Sequence, residues 1–167
     1  MIVIVCGLPG TGKTTVAKNI APLIRATILS TDKIRKELFP TPTYWQQERR
    51  LVYEVMMLLA QYLQEAKVNC VLDATFNAER SRTEVIRRLS LKPEEISIIE
   101  CICQEDIIFS RLKSRKHDYS DADITVYNKM KKIFEPINQP HIVVDTSDNL
   151  LFQKAVEIAK GLNRKSN

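Results

Sequence analysis

Residues Gly7-Leu8-Pro9-Gly10-Thr11-Gly12-Lys13-Thr14 spell G-x-x-x-x-G-K-[ST], between the apolar run Ile2-Val3-Ile4-Val5-Cys6 and a helical pattern that starts at Thr15. Glycines in such a loop let the backbone curl until successive N–H groups point inward at an anion. The helix that follows adds the positive end of its dipole. Lys13 is spaced to reach the β and γ phosphates of a nucleoside triphosphate, and the Thr14 hydroxyl to ligate Mg²⁺. Gly7 through Thr15 are therefore the expected nucleotide contacts.

Two aspartates could complete the chemistry. Asp73 ends the run Val68-Asn69-Cys70-Val71-Leu72, and a carboxylate at the end of a buried strand beside a phosphate loop is placed to organise Mg²⁺. The next residues, Ala74-Thr75, lack the glutamate with which ATPase motors activate water, so transfer to a bound hydroxyl is favoured over hydrolysis. Asp32, in Leu29-Ser30-Thr31-Asp32-Lys33-Ile34-Arg35, follows the second apolar run and is expected on the same rim. It could accept or orient an acceptor hydroxyl, and Arg35 could grip an anionic acceptor. Ser30, Thr31 and Asp32 are also ordinary helix N-cap residues, and capping does not preclude catalysis.

Further along, Arg111 and Arg115 stand at i, i+4 on one helix face, ahead of the polar stretch His117-Asp118-Tyr119-Ser120-Asp121-Ala122-Asp123. A basic helix end leading into such a segment reads as a lid that brings guanidinium groups to a transferring phosphate; a solvated charge run is the alternative. Val143-Val144-Asp145-Thr146-Ser147-Asp148 closes the last strand, where Thr146 suits contact with a base or ribose, or caps the helix that follows. His117 and His141 are isolated and are assigned no chemistry.

These residues need a frame. Short β-branched runs near 2–6, 26–30, 69–73, 96–102 and 141–145 alternate with helical stretches near 13–21, 31–38, 44–67, 79–90, 105–114, 121–133 and 149–162. Strands separated by helices predict an α/β fold with a parallel sheet covered on both faces. The stretch 44–67 carries Val52, Val55, Met56, Leu59 and Leu63 as a core-facing stripe. Its Trp45, Arg49, Arg50 and Tyr53 either pack and solvate the helix or face a cleft. Length and spacing predict one domain over 1–163, with a lid at about 111–123 and a frayed tail at 164–167.

Composition is that of a globular protein, 44% hydrophobic and 27% charged, and the net charge of +5 gives weak support to a polyanionic partner. The chain opens directly on its first apolar run, and its most apolar helical stretch is too short to span a bilayer, so a cytoplasmic protein without membrane segments is expected. Cys6, Cys70, Cys101 and Cys103 lack zinc or C-x-x-C spacing and read as small buried hydrophobes.

In this order GLPGTGKTT, LSTDKIR, VLDATF, RLKSR and SDAD resemble the small P-loop kinases, from Met1 to about Thr146. That group includes polynucleotide 5′-hydroxyl kinases, zeta-toxin-like kinases and the kinase domain of O-phosphoseryl-tRNA(Sec) kinase. The resemblance implies a five-stranded sheet in the order 2-3-1-4-5, ATP with Mg²⁺, and transfer of the γ-phosphate to a hydroxyl. It puts Lys13 and Thr14 on the nucleotide and Asp73 on the Walker B position. Asp32 becomes the acceptor-activating aspartate, Arg35 the acceptor anchor, and Arg111 and Arg115 the lid arginines. The acceptor is left between a nucleic-acid 5′-hydroxyl and a small metabolite; the tRNA, phosphatase and ligase modules of some relatives find no counterpart in these 167 residues. Two other classes stand beside this one: an AAA-type ATPase, whose phosphate loop is often spelled alike, and a nucleotide-binding regulatory module without transfer activity. Asn128-Lys129-Met130-Lys131 lacks the aspartate of a guanine-reading N-K-x-D element.

Overall fold

A computed structural model describes residues 1–114 and 120–165. Its centre is β1 (Ile2–Cys6), whose five side chains are all buried. Alternation along the strand splits them between two apolar layers. Ile2, Ile4 and Cys6 join one layer with Val52, Met56 and Ala60 of α3 (Gln46–Glu65) and Val85 of α4 (Glu79–Arg88). Val3 and Val5 join the opposite layer with Val16 and Ile20 of α1 (Lys13–Leu23) and Ala155, Ala159 and Leu162 of α7 (Leu151–Lys165). A strand covered on both faces has no polar side, which is why its sequence is a continuous apolar run.

Around β1 lie β2 (Ala26–Ser30), β3 (Asn69–Asp73), β4 (Ile96–Ile102) and β5 (Ile142–Asp145), in the order β2-β3-β1-β4-β5 with every pairing parallel. The register sets Val5 and Ser30 on either side of Asp73, so the ends of β1, β2 and β3 form one rim. Onto that rim open the phosphate loop and α2 (Thr31–Leu38). This is the crevice outside the strand ends where sheets of this kind take ligands.

Element boundaries move for local reasons. The third helix starts at Gln46 rather than Tyr44, because Tyr44 adopts φ +60, outside the helical region. α6 (Ile124–Ile133) starts three residues after the expected 121, because Asp123 caps it by accepting the Val126 N–H at 2.8 Å. The buried stripe of α3 runs through Val52, Met56, Met57 and Ala60, and Leu59, expected in the core, is 40% exposed beside it. α5 (Glu105–Ser114) packs on α6 through an edge-on pair, Phe109 against Tyr127.

One charged side chain lies wholly inside. Arg82 on α4 donates to the carbonyls of Phe76 and Pro136 at 2.7 Å each and of Glu135 at 3.3 Å. It thereby ties the segment that follows β3 to the one that leads into β5. The cysteines are unpaired; Cys6, Cys70 and Cys101 are buried, which pushes their thiols up to about 12, and Cys103 is half-buried. Among the described residues no helix is long and apolar enough to cross a membrane.

Candidate active site

The phosphate loop is held open by backbone geometry that few other residues would accept. Gly7, at φ +135, packs so closely on β4 that a Cβ would stand 2.4 Å from the Cys101 carbonyl oxygen. Gly12 precedes α1 in the left-handed region at φ +80. The loop is braced from within: the Thr11 hydroxyl and the Lys13 ammonium both donate to the Leu8 carbonyl at 2.8 Å. It is braced from outside by the Gly7 N–H on the Thr75 carbonyl at 3.3 Å.

A cavity of about 370 Å³ lies over this loop. Pro9, Gly10, Gly12, Lys13, Thr14 and Thr15 line one side of it, and Thr31, Asp32, Arg35, Tyr44, Arg49 and Tyr53 another. Asp73 lies between the two groups, where its buried carboxylate accepts the Thr14 hydroxyl at 2.8 Å. Burial pushes the Asp73 carboxyl above its usual range, against the pull of Lys13 and the Thr14 hydroxyl. Thr14 and Asp73 offer two hard oxygens. Among the described residues no cluster of three or more histidine, cysteine or acidic side chains could enclose a metal on its own. That donor set fits Mg²⁺, which takes one or two protein oxygens and completes its shell with phosphate and water.

The acceptor side is built around Arg35. Its Nε donates to Glu48 at 2.8 Å, its Nη1 lies 3.5 Å from the Asp32 carboxylate, and its guanidinium stacks 4.8 Å from the centre of the Tyr44 ring. Asp32 is 38% exposed and faces the cavity, whereas the Arg35 side chain is 8% exposed. The expected acceptor anchor thus lines the cavity with its charge already matched by two carboxylates. Glu48, at the third position of α3, accepts the Thr43 N–H and hydroxyl and the Tyr44 N–H. This is half of a capping box, reaching back past the helix start. Burial alone would raise its carboxyl, but those donors and Arg35 hold it below the usual range. The Tyr44 hydroxyl donates to Asp121, which also accepts Lys36 at 3.0 Å, so the start of the segment before α6 is pinned to this wall.

Two other candidate residues bond to each other and to the phosphate loop. Arg111, expected over the transferring phosphate, turns beneath the loop: it donates to the Thr146 hydroxyl at 2.9 Å and the Thr146 carbonyl at 2.6 Å, with Gly10 O at 3.5 Å. Thr146, expected at a base or ribose, is buried against Gly12 and donates to the Thr11 carbonyl at 2.9 Å. Neither lines the cavity. Together they form a brace that ties β5 and α5 to the phosphate loop. Likewise Gly7, Leu8 and Thr11 shape the loop without lining the cavity. Arg115 and His117 lie outside the described residues.

Tyr44, Glu48, Asn77 and Asp121 were not singled out from the sequence as site residues. Glu48 could have been found as a glutamate five residues after Thr43 at a helix start, and Asp121 lies in the S-D-A-D stretch of the expected lid; Tyr44 and Asn77 carry no signal in residue type or spacing. Trp45 stays 73% exposed beside Tyr44, and Arg50 faces a second groove.

Comparison with known proteins follows the fold. A candidate kinase from Chloroflexus aurantiacus superposes with a TM-score of 0.75 at 18% identity, covering 98% of this chain and 97% of that one. The Mycobacterium tuberculosis APS kinase CysC, solved with AMPPNP and APS, superposes with a TM-score of 0.71 at 15% identity, covering 98% and 96%. In sequence, the uncharacterized protein Rv2004c of Mycobacterium tuberculosis is 26% identical over 133 residues, 72% of this chain. The chain spans 27% of the length of that curated relative. A family model, AAA_33, described as an AAA domain, matches residues 2–137, and the chain belongs to that family.

Proposed function

We propose that this protein moves the γ-phosphate of ATP to the hydroxyl of an acceptor, with Mg²⁺. The observation that carries the reading is one cavity with a phosphate loop and the Thr14–Asp73 oxygen pair on one side and the Asp32 carboxylate on the other. The loop N–H groups and α1 bind the triphosphate, and Lys13 exchanges its contact with the Leu8 carbonyl for a phosphate oxygen. Thr14 and Asp73 would hold the ion, which would supply positive charge against the phosphates. Asp32 orients the acceptor hydroxyl and takes its proton. As the acceptor oxygen bonds to the γ-phosphorus, the bond to the β,γ-bridging oxygen breaks and ADP leaves. Arg35 keeps Asp32 aimed, a positioning task suited to a guanidinium locked by Glu48. Ala74, directly after Asp73, is 3% exposed and carries no group that could activate water. The APS kinase, solved with AMPPNP and APS, supports a nucleotide and a small acceptor meeting on this fold.

The test is transfer of label from γ-labelled ATP to hydroxyl-bearing oligonucleotides and pooled metabolites. Asp32→Asn is expected to lower transfer by about 10²-fold or more while ATP binding persists. Full transfer by that variant refutes the role given to Asp32.

A further inference from the structure

Tyr53 forms part of the wall of two cavities. One is the cavity of Lys13 and Asp32; the other is an open groove of about 770 Å³ between α3 and α4, with Met57 and Val85 at its base. Four arginines, Arg50, Arg80, Arg87 and Arg88, line this groove against two carboxylates, Glu54 and Glu84. Both carboxylates are already engaged: Glu84 accepts Arg87 at 2.6 and 3.0 Å, and Glu54 accepts Arg88 at 2.8 Å. Arg50 and Arg80 are exposed and form no direct ion pair among the described residues, although the charge of Arg80 helps to lower the Glu84 carboxyl. On the other side of Tyr53, Arg49 lines the first cavity and likewise pairs with no carboxylate among the described residues. Guanidinium charge without a direct ion pair therefore lies at Arg49 and continues in the groove at Arg50 and at Arg80, which shares Glu84 with Arg87, while Arg35 is balanced by Asp32 and Glu48. A planar fork of N–H donors matches the paired oxygens of a carboxylate or a phosphate alike, and the second negative charge of a phosphate suits a site with more than one guanidinium.

We propose that the acceptor is a phosphate-bearing alcohol that straddles Tyr53, with its hydroxyl at Asp32 and its phosphate on Arg50 and Arg80. The assignment rests on the transfer reaction proposed above. In that reaction the acceptor oxygen takes the γ-phosphoryl group, its proton goes to Asp32, ADP departs, and the phosphate in the groove is unchanged.

Calorimetric titration without ATP tests it, using four probes: a nucleoside 3′-monophosphate, the same nucleoside without phosphate, a sugar monophosphate, and a single-stranded hexanucleotide with a 5′-hydroxyl. Phosphate-bearing probes should bind the native protein at least tenfold more tightly than the bare nucleoside. The double variant Arg50→Ala, Arg80→Ala should erase that advantage and leave ATP affinity within twofold. A hexanucleotide that outbinds both monophosphates, with a log K against log[salt] slope that flattens by about 1.4 in the variant, identifies a nucleic-acid acceptor. Equal affinity among the phosphate-bearing probes identifies a small phosphorylated alcohol. Phosphate-independent binding, or unchanged affinity in the variant, overturns the proposal. Binding that needs Arg50 and Arg80 with no label transferred overturns the transfer reaction and leaves the phosphate groove standing.

Discussion

Burial pushes the Asp73 carboxyl above the usual carboxylate range, while Lys13 and the hydroxyls of Thr14 and Ser30 pull it back. A carboxylate whose folded pKa is raised penalises folding once it ionises. The penalty is absent below its unfolded pKa and complete above its folded one. Asp73→Asn should therefore raise the melting temperature of the nucleotide-free protein. The same variant should lose the extra stabilisation given by ATP with Mg²⁺, and thermal denaturation with and without ligand reads both effects. The place of Asp73 was legible, because a strand end beside a phosphate loop fixes where a carboxylate stands. The pairing of Thr146 with Arg111 was not, since strand order gives the rim on which a residue lies but not the direction its side chain takes. In the folded chain the Arg111 guanidinium finds the Thr146 carbonyl and hydroxyl, and that pairing joins positions 35 apart in the sequence.

Between α2 and α3 the chain has no regular structure, yet Glu48 gathers the Thr43 and Tyr44 N–H groups and Arg35 into one cluster. Its lowered pKa means that it stabilises the fold at pH well above about 4.5, and that this contribution is lost as the pH falls through the lower folded value. Melting curves of the native protein and Glu48→Gln should differ most near pH 7 and converge as the pH falls through the lowered folded value. A gap that persists in acid would assign the effect to packing rather than charge. The helices themselves could be read from their periodicity. This connector could not, because its order depends on a left-handed Tyr44 and a carboxylate that meets Arg35 from thirteen residues away.

Across the whole molecule, five parallel strands in the order β2-β3-β1-β4-β5 were readable from strands alternating with helices, together with the resemblance to small P-loop kinases. The centres of β1, β3 and β4 needed no revision, because runs buried on both faces leave a continuous apolar signature, and the half-exposed edge strands β2 and β5 were legible from their β-branched residues. The long-range tie at Arg82 was invisible, since an arginine on a predicted helix ordinarily reads as solvated. Arg82→Ala would leave the carbonyls of Phe76 and Pro136 without their charged donor, and should cost at least about 3 kcal/mol. Urea unfolding measures this, and a loss under about 1 kcal/mol would show that water replaces the guanidinium. Trp45, the chain's sole tryptophan, stands exposed next to Tyr44 and four residues before Arg49, both on the wall of the cavity. An indole in that position emits like one in water until something crowds it, so occupancy of the cleft can be followed by intrinsic fluorescence, with no dye attached and no residue replaced.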